Sequence, residues 1–299
     1  MTRVCKLAAC CLLTLGLLSG LQSLALALAD DNEMIVGGKV APEGKFPFQV
    51  RIYSSMDDDK GRCGGTIVAP QWVLTAAHCV VADPTATENV KPVDAVVVGY
   101  GSTDRTKTTK VASDMVIVNP DYLQNGSKSN ADIALIKLKA PIADAKPIEV
   151  ANPEANKKLL TPGATVTVTG WGAVWDPEDK NVIAMLSQLT SGADLGDKIS
   201  YPLKLHQVEI QVLDNESCKT MFQGSNVTVV DSDICALQPG SRKNACYGDS
   251  GGPLMASPKP RTFVQVGIVS RGCGNMDLPN IYTRVSSFSD WIGTTMAGN

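Results

Sequence analysis

The chain has 299 residues, 44% of them hydrophobic and 19% charged, which is long and apolar enough for one or two well-buried domains. Its formal net charge of -3 gives no basic footprint, so neither nucleic acid nor an anionic membrane surface is an expected partner.

Arg3 and Lys6 precede an uncharged run from Leu7 to Leu28 that ends in Ala27-Leu28-Ala29. A basic start, an apolar stretch and a small-x-small end are the pattern of a cleaved secretory signal. The run could also span a bilayer as an anchor, but its small-residue end favours cleavage. Leu7-Ala8-Ala9-Cys10 is similar to a lipoprotein box, yet it precedes the apolar run instead of following it. The signal is therefore expected over residues 1-29. Asp30-Asp31-Asn32-Glu33-Met34, too short to fold, then leads into Ile35-Val36-Gly37-Gly38.

Short β-branched runs follow, separated by Gly, Pro, Asn and Asp. They are Val50 to Tyr53, Thr66 to Val68, Val93 to Val98, Met115 to Val118 and Ile133 to Leu138, a spacing that predicts an antiparallel barrel. Lys139 to Lys158, with three prolines and several charges, reads as a linker. A second set comprises Thr165 to Thr169, Leu205 to Val212, Gly252 to Met255, Val264 to Ser270 and Ile281 to Val285. Between them, Trp175 to Tyr201 reads as a surface insertion, with Ile183 to Leu186 able to form a helical turn. Ser286 to Met296, with Phe288, Trp291, Ile292 and Met296 apolar, predicts a terminal amphipathic helix. Asn125, Asn215 and Asn226 open glycosylation sequons, which matter only in a host that glycosylates.

Chemistry concentrates at Gly248-Asp249-Ser250-Gly251-Gly252-Pro253, whose residue types suit a tight turn that presents a hydroxyl beside backbone N–H groups. A serine hydroxyl is a weak nucleophile and needs an adjacent base, most often a histidine that a third group orients. The chain has two histidines. His206 lies in the alternating run Leu203 to Val208 and is expected to face solvent. His78, in Leu74-Thr75-Ala76-Ala77-His78-Cys79, is left as the candidate base. Asp132 opens an otherwise apolar run, Asp132 to Leu138, where a lone carboxylate would be costly without a partner. That partner is expected to be the histidine.

Six cysteines lie beyond the signal: Cys63, Cys79, Cys218, Cys235, Cys246 and Cys273. An even number in an exported chain predicts a disulfide framework, with 15 connectivities open to sequence reasoning alone. No Cys-x-x-Cys pair is present to suggest zinc.

Taken together, Ile35 to Gly38, Leu74 to Cys79, Asp132 to Leu138 and Gly248 to Pro253 resemble, in order, the motifs of the chymotrypsin/trypsin family of serine proteases. The resemblance covers essentially Ile35 to the C-terminus. It implies an all-β fold of two antiparallel six-stranded barrels, at about 50-140 and 159-299, with a C-terminal helix and the triad His78, Asp132 and Ser250 in the cleft. It further implies an oxyanion hole from the N–H groups of Gly248 and Ser250, and disulfides Cys63–Cys79, Cys218–Cys235 and Cys246–Cys273. Residues 30-34 become an activation peptide, after whose removal the new ammonium at Ile35 pairs with Asp249. The expected partners are protein or peptide substrates, an activating protease and protein inhibitors. A secreted monomer without a cofactor or metal is expected, and Gly99 to Lys110 lacks the acidic cluster that binds calcium in trypsin-like relatives. The competing class is a binding protein on a protease scaffold, such as an inhibitor or adhesin.

Four residues depart from the trypsin pattern. Met34 stands where trypsin-activated members carry Arg or Lys. Asn244 stands at the base of the expected substrate pocket in place of aspartate, and Asn280 where many relatives have glycine. Arg271, in the wall Ser270-Arg271-Gly272, replaces a tryptophan. A neutral pocket base cannot stabilise a buried Lys or Arg side chain, so uncharged side chains before the cut are favoured, with Arg271 favouring acidic neighbours.

Overall fold

Two closed six-stranded antiparallel barrels make up the molecule, and their closure leaves few strand edges open. The structure, a computed structural model, describes residues 38–82, 89–125, 130–174, 201–241, 243–272 and 277–299. The expected signal, the activation segment, Ile35, residues 175–200 of the insertion and Cys273 lie outside them.

The first strand, β1 (Lys39–Val40), belongs to the second barrel. The first barrel holds β2 (Gln49–Tyr53), β3 (Cys63–Ala69), β4 (Trp72–Thr75), β5 (Val97–Tyr100), β6 (Thr109–Val118) and β7 (Ala134–Leu138). Its order is β2-β3-β4-β7-β6-β5, closed by Ile52 pairing with Val98. Every residue of β2 and β4 is buried, and Val50, Val73, Leu74, Val98, Leu135, Ile136 and Leu138 have no exposed surface. Each such side chain contributes about 1.5–3 kcal/mol by leaving water.

The segment between the barrels is more structured than a linker. It contains β8 (Glu149–Val150), which adds to the second sheet in parallel with the strand at Val264, and a helix over Pro153–Leu159. The helix follows from Asn152-Pro153-Glu154: the Asn152 side chain accepts from the Ala155 N–H, proline sits at the first helical position, and Lys157 and Lys158 meet the last turn.

The second barrel holds β9 (Thr165–Gly170), β10 (His206–Leu213), β11 (Asp233–Leu237), β12 (Pro253–Lys259), β13 (Thr262–Arg271) and β14 (Asn280–Arg284). Their order is β9-β10-β11-β14-β13-β12, closed by Leu254 pairing with Val168. The terminal helix runs over Ser289–Gly298 after a 3-10 turn, with Phe288, Trp291, Ile292 and Met296 against the core as their spacing predicts. No helix among the described residues is long and apolar enough to cross a membrane.

Two expectations change. Val93 to Val98 is not one strand, because Pro92 opens a 3-10 turn over Val93–Ala95 and pairing starts only at Val97. His206 does not face solvent: it is 1% exposed, paired with Val40 of β1 and Gly170 of β9. Alternation within one strand cannot register that β1 lies along it. Burial pushes the His206 pKa down, and Nδ1 lies 2.8 Å from the Lys204 carbonyl oxygen.

Candidate active site

The loop from Ala245 to Gly252 leads from β11 to β12 of the second barrel and packs against the first. Gly248 and Gly251 have φ of +93° and +78°, a backbone region that any other residue would enter only with strain. Space adds a second reason at Gly251, where a Cβ would lie 2.3 Å from Thr75 Oγ1 and 3.2 Å from the Ala76 nitrogen. The turn therefore packs against the end of β4, three residues before His78. A bond from the Gly64 N–H of β3 to the Ser250 carbonyl, 2.7 Å, ties it to the first barrel. Asp249, Gly251 and Gly252 spend their N–H groups on Cys246, Val269 and Asp249 carbonyls. Those of Gly248 and Ser250 meet no acceptor among the described residues. Backbone donors beside a hydroxyl that no described residue engages are what a developing oxyanion needs.

His78 sits in a single helical turn, α1 (Ala77–Val80), that the Cys63–Cys79 disulfide fastens to β3. A cross-link closing a loop of this size stabilises by about 3 kcal/mol. Asp132, 4% exposed, precedes β7 and receives three bonds. The His78 backbone N–H donates to Oδ1 at 3.0 Å, His78 Nδ1 lies 2.8 Å from Oδ2, and the Ser270 hydroxyl donates to Oδ2 at 2.6 Å. The Thr283 hydroxyl donates to the Asp132 carbonyl at 3.0 Å, so β13 and β14 of the second barrel hold an acid of the first.

Burial alone would raise the Asp132 pKa, but the His78 charge and these hydrogen bonds outweigh it and hold the carboxyl below its usual range. Burial likewise pulls His78 down, and the Asp132 charge and hydrogen bond reverse this, leaving the imidazole above its ordinary value. With the carboxyl ionised, Nδ1 must carry the proton, and Nε2 is the basic nitrogen. The Ser250 hydroxyl is not hydrogen-bonded to the ring, and such bonds commonly tighten only with substrate.

Asp249 is fully buried and accepts from the Gly172 N–H at 2.8 Å and the Cys246 N–H at 2.9 Å. Burial pushes its pKa up to about 6 against those bonds and the positive charge of Arg51.

Of the expected pocket residues, Asn244 and Asn280 both bond to Ala245. The Asn244 side-chain Oδ1 accepts from the Ala245 N–H at 3.0 Å and the Tyr282 hydroxyl at 3.3 Å, while the Asn280 side-chain Nδ2 donates to the Ala245 carbonyl at 2.6 Å. Both asparagines are 2% exposed. Asn280 also lies against Gly272, where a Cβ would fall 2.1 Å from its side-chain oxygen. Arg271 does not project as a free charge. Its guanidinium donates to Asp233 at 2.7 Å and Asn130 at 2.9 Å, so its charge is already compensated. Sequence reasoning placed Ser270 only in the pocket wall, and its bond to Asp132 is new.

Cys218–Cys235 is bonded as expected and Cys246 is in a disulfide too. Cys63, Cys79 and His78 gather ligand-type atoms, but both sulfurs are spent on the disulfide and offer no thiolate to a metal.

Comparison with known proteins agrees with this geometry. A family model described as Trypsin matches residues 35–191 and 175–292. A tryptase of Mus musculus is 34% identical over 294 residues, covering 94% of this chain and 95% of that protein. Serine protease 28 of Mus musculus is 32% identical over 273 residues, covering 86% and 87%. The chain belongs to the trypsin family of serine proteases.

Proposed function

We propose that the chain is a secreted serine endopeptidase that works through an acyl-enzyme and is made as a zymogen cleaved before Ile35. The observation that carries the reading is the His78–Asp132 pair, an imidazole fixed at 2.8 Å on a buried carboxylate beside the Ser250 turn. Ser250 Oγ attacks the scissile carbonyl while His78 Nε2 takes its proton, and the carbonyl oxygen, now negative, accepts from the Gly248 and Ser250 N–H groups. As the tetrahedral adduct collapses, His78 gives the proton to the leaving amine and the acyl group stays on Ser250. Water, deprotonated by the same nitrogen, then releases the acid. Asp132 keeps Nδ1 protonated throughout and stabilises the imidazolium.

Zymogen control is supported by the Asp249 carboxyl, which burial holds up at about 6 against its two backbone hydrogen bonds and the Arg51 charge. A carboxyl raised in the folded state contributes stability below its unfolded pKa and loses it as pH rises through the folded value. Near neutral pH the ordered turn therefore carries a cost that a new ammonium at Ile35 removes. Protein beginning at Ile35 should cleave peptides at least about 10²-fold faster than protein beginning at Asp30, the size of losing one oxyanion donor. Equal rates from the two forms would rule zymogen control out. Because Met34 precedes the cut, the activator is not trypsin-like.

The pocket supports a preference for uncharged side chains before the cut. Asn244 brings no charge to its base, and the Asn280 amide occupies space beside Gly272. Profiling processed enzyme on a mixed peptide library should show no preference for Lys or Arg. Asn280→Gly should widen tolerance for large side chains, and Asn244→Asp combined with it should shift preference toward basic residues by about tenfold or more. Strong cleavage after Lys and Arg by the native chain would refute the assignment.

A further inference from the structure

The middle residue of β2, in Gln49-Val50-Arg51-Ile52-Tyr53, is an arginine 1% exposed in the wall of the first barrel. A buried guanidinium persists only where its donors are satisfied. Here they go to carbonyl oxygens: Nε to Lys60 at 3.1 Å, Nη2 to Gly61 at 2.9 Å and Nη1 to Gly248 at 3.1 Å. The first two fix the planar fork on its own barrel, and the third reaches across the cleft to the nucleophile turn. Gly61 makes the reach feasible, because a Cβ there would lie 2.8 Å from Arg51 Cγ and 2.9 Å from Nε.

We propose that Arg51 is a positioning residue that holds the oxyanion-binding turn in its working shape from the opposite barrel. The proposal rests on the serine protease reading of that turn. Gly248 has no side chain to restrain it and a φ of +93°, so its torsions are held from outside. Its α-carbon face packs on Gly172, where a Cβ would meet Cα at 3.2 Å, and its carbonyl is held by Arg51. Releasing the carbonyl lets the Gly248–Asp249 peptide rotate, which disturbs both the Asp249 N–H bond to Cys246 and the direction of the neighbouring Ser250 N–H. Arg51 is also the cation acting on buried Asp249, so positive and negative charges flank the turn. This hold exists without any new N-terminus, and it needs the fork: a lysine can reach one carbonyl but cannot brace itself on two others.

Hydrogen exchange and acylation kinetics test the proposal separately. In a Ser250→Ala chain, where catalysis plays no part, Arg51→Met should speed amide exchange across residues 245–252 by about tenfold or more while both barrels keep their protection. Arg51→Lys should fall between. In active chain beginning at Ile35, burst titration counts competent sites. Arg51→Met should lower acylation per competent site by about 10- to 100-fold, with KM changed less than about threefold, and Arg51→Lys should recover part of the rate. Unchanged exchange over 245–252 would overturn the proposal, as would fewer titratable sites that each react at the normal rate. Absence of any Ser250 adduct in the unsubstituted chain would instead sink the protease reading, and the exchange result would still decide the role of Arg51.

Discussion

Ser250→Ala should lower kcat of the processed enzyme on the order of 10⁶-fold, leaving only the residual acceleration that binding and oxyanion donors give a bound water. The substitution removes a nucleophile for which the turn has no substitute, since Asp249 is buried and spent on the Gly172 and Cys246 N–H groups. It should not disturb the fold. The contact that ties this residue to the first barrel runs through its backbone carbonyl, which accepts from the Gly64 N–H, and the flanking glycines keep their torsions. Peptide hydrolysis measured beside thermal unfolding separates the two effects. A large rate loss with an unchanged melting temperature is the expected outcome, and retention of more than about 1% of the activity would remove Ser250 from the mechanism.

The second large effect is expected at Asp132. Asp132→Asn should lower kcat by roughly 10⁴-fold, the loss that this change causes in the family's template triad. Three donors converge on the native carboxylate: the His78 N–H, His78 Nδ1–H and the Ser270 hydroxyl. An amide supplies one acceptor oxygen and replaces the other with an NH₂ group. To avoid facing donor against donor, the imidazole takes the tautomer with its proton on Nε2, the wrong nitrogen for a base. The pH dependence carries the same information. His78 works as a base only when neutral, and Asp132 holds its pKa above the ordinary value of about 6.5. Activity of the native enzyme should therefore rise with a midpoint above about 6.5, and Asp132→Asn should move that midpoint down. The same raised pKa makes the ion pair stabilise the fold below about 6.5, a contribution lost as pH rises through the folded value. A pH–rate profile with its acid limb unmoved by the substitution would disconnect Asp132 from His78.

Asp132 was legible in the sequence because it opens an apolar run, where a lone carboxylate needs a partner, whereas His78 was reached by setting His206 aside as solvent-facing, a premise that the burial of His206 overturns. The barrels were legible for a related reason: short β-branched stretches with regular Gly, Pro, Asn and Asp punctuation can bury themselves only by closing a sheet. His206 was misread because alternation describes one strand, and the cover from β1 comes from residues more than 160 positions away. The helix after Asn152 was present in Asn-Pro-Glu but was hidden by the prolines and charges around it. Arg51 could be flagged as an odd charge in an apolar strand, yet its partners are backbone carbonyls, one of them 197 residues distant, and carbonyls leave no trace in a sequence. The same holds for Asn280, whose effect depends on how close Gly272 comes.

The central claim, a Ser250 nucleophile activated by His78, is tested most directly by treating protein that begins at Ile35 with a fluorophosphonate and locating the adduct by peptide mass spectrometry. The account predicts a single phosphonylated site at Ser250, formed far more slowly in the His78→Ala chain and absent from the Ser250→Ala chain. No adduct on correctly processed, folded protein, or an adduct that survives Ser250→Ala, would contradict it.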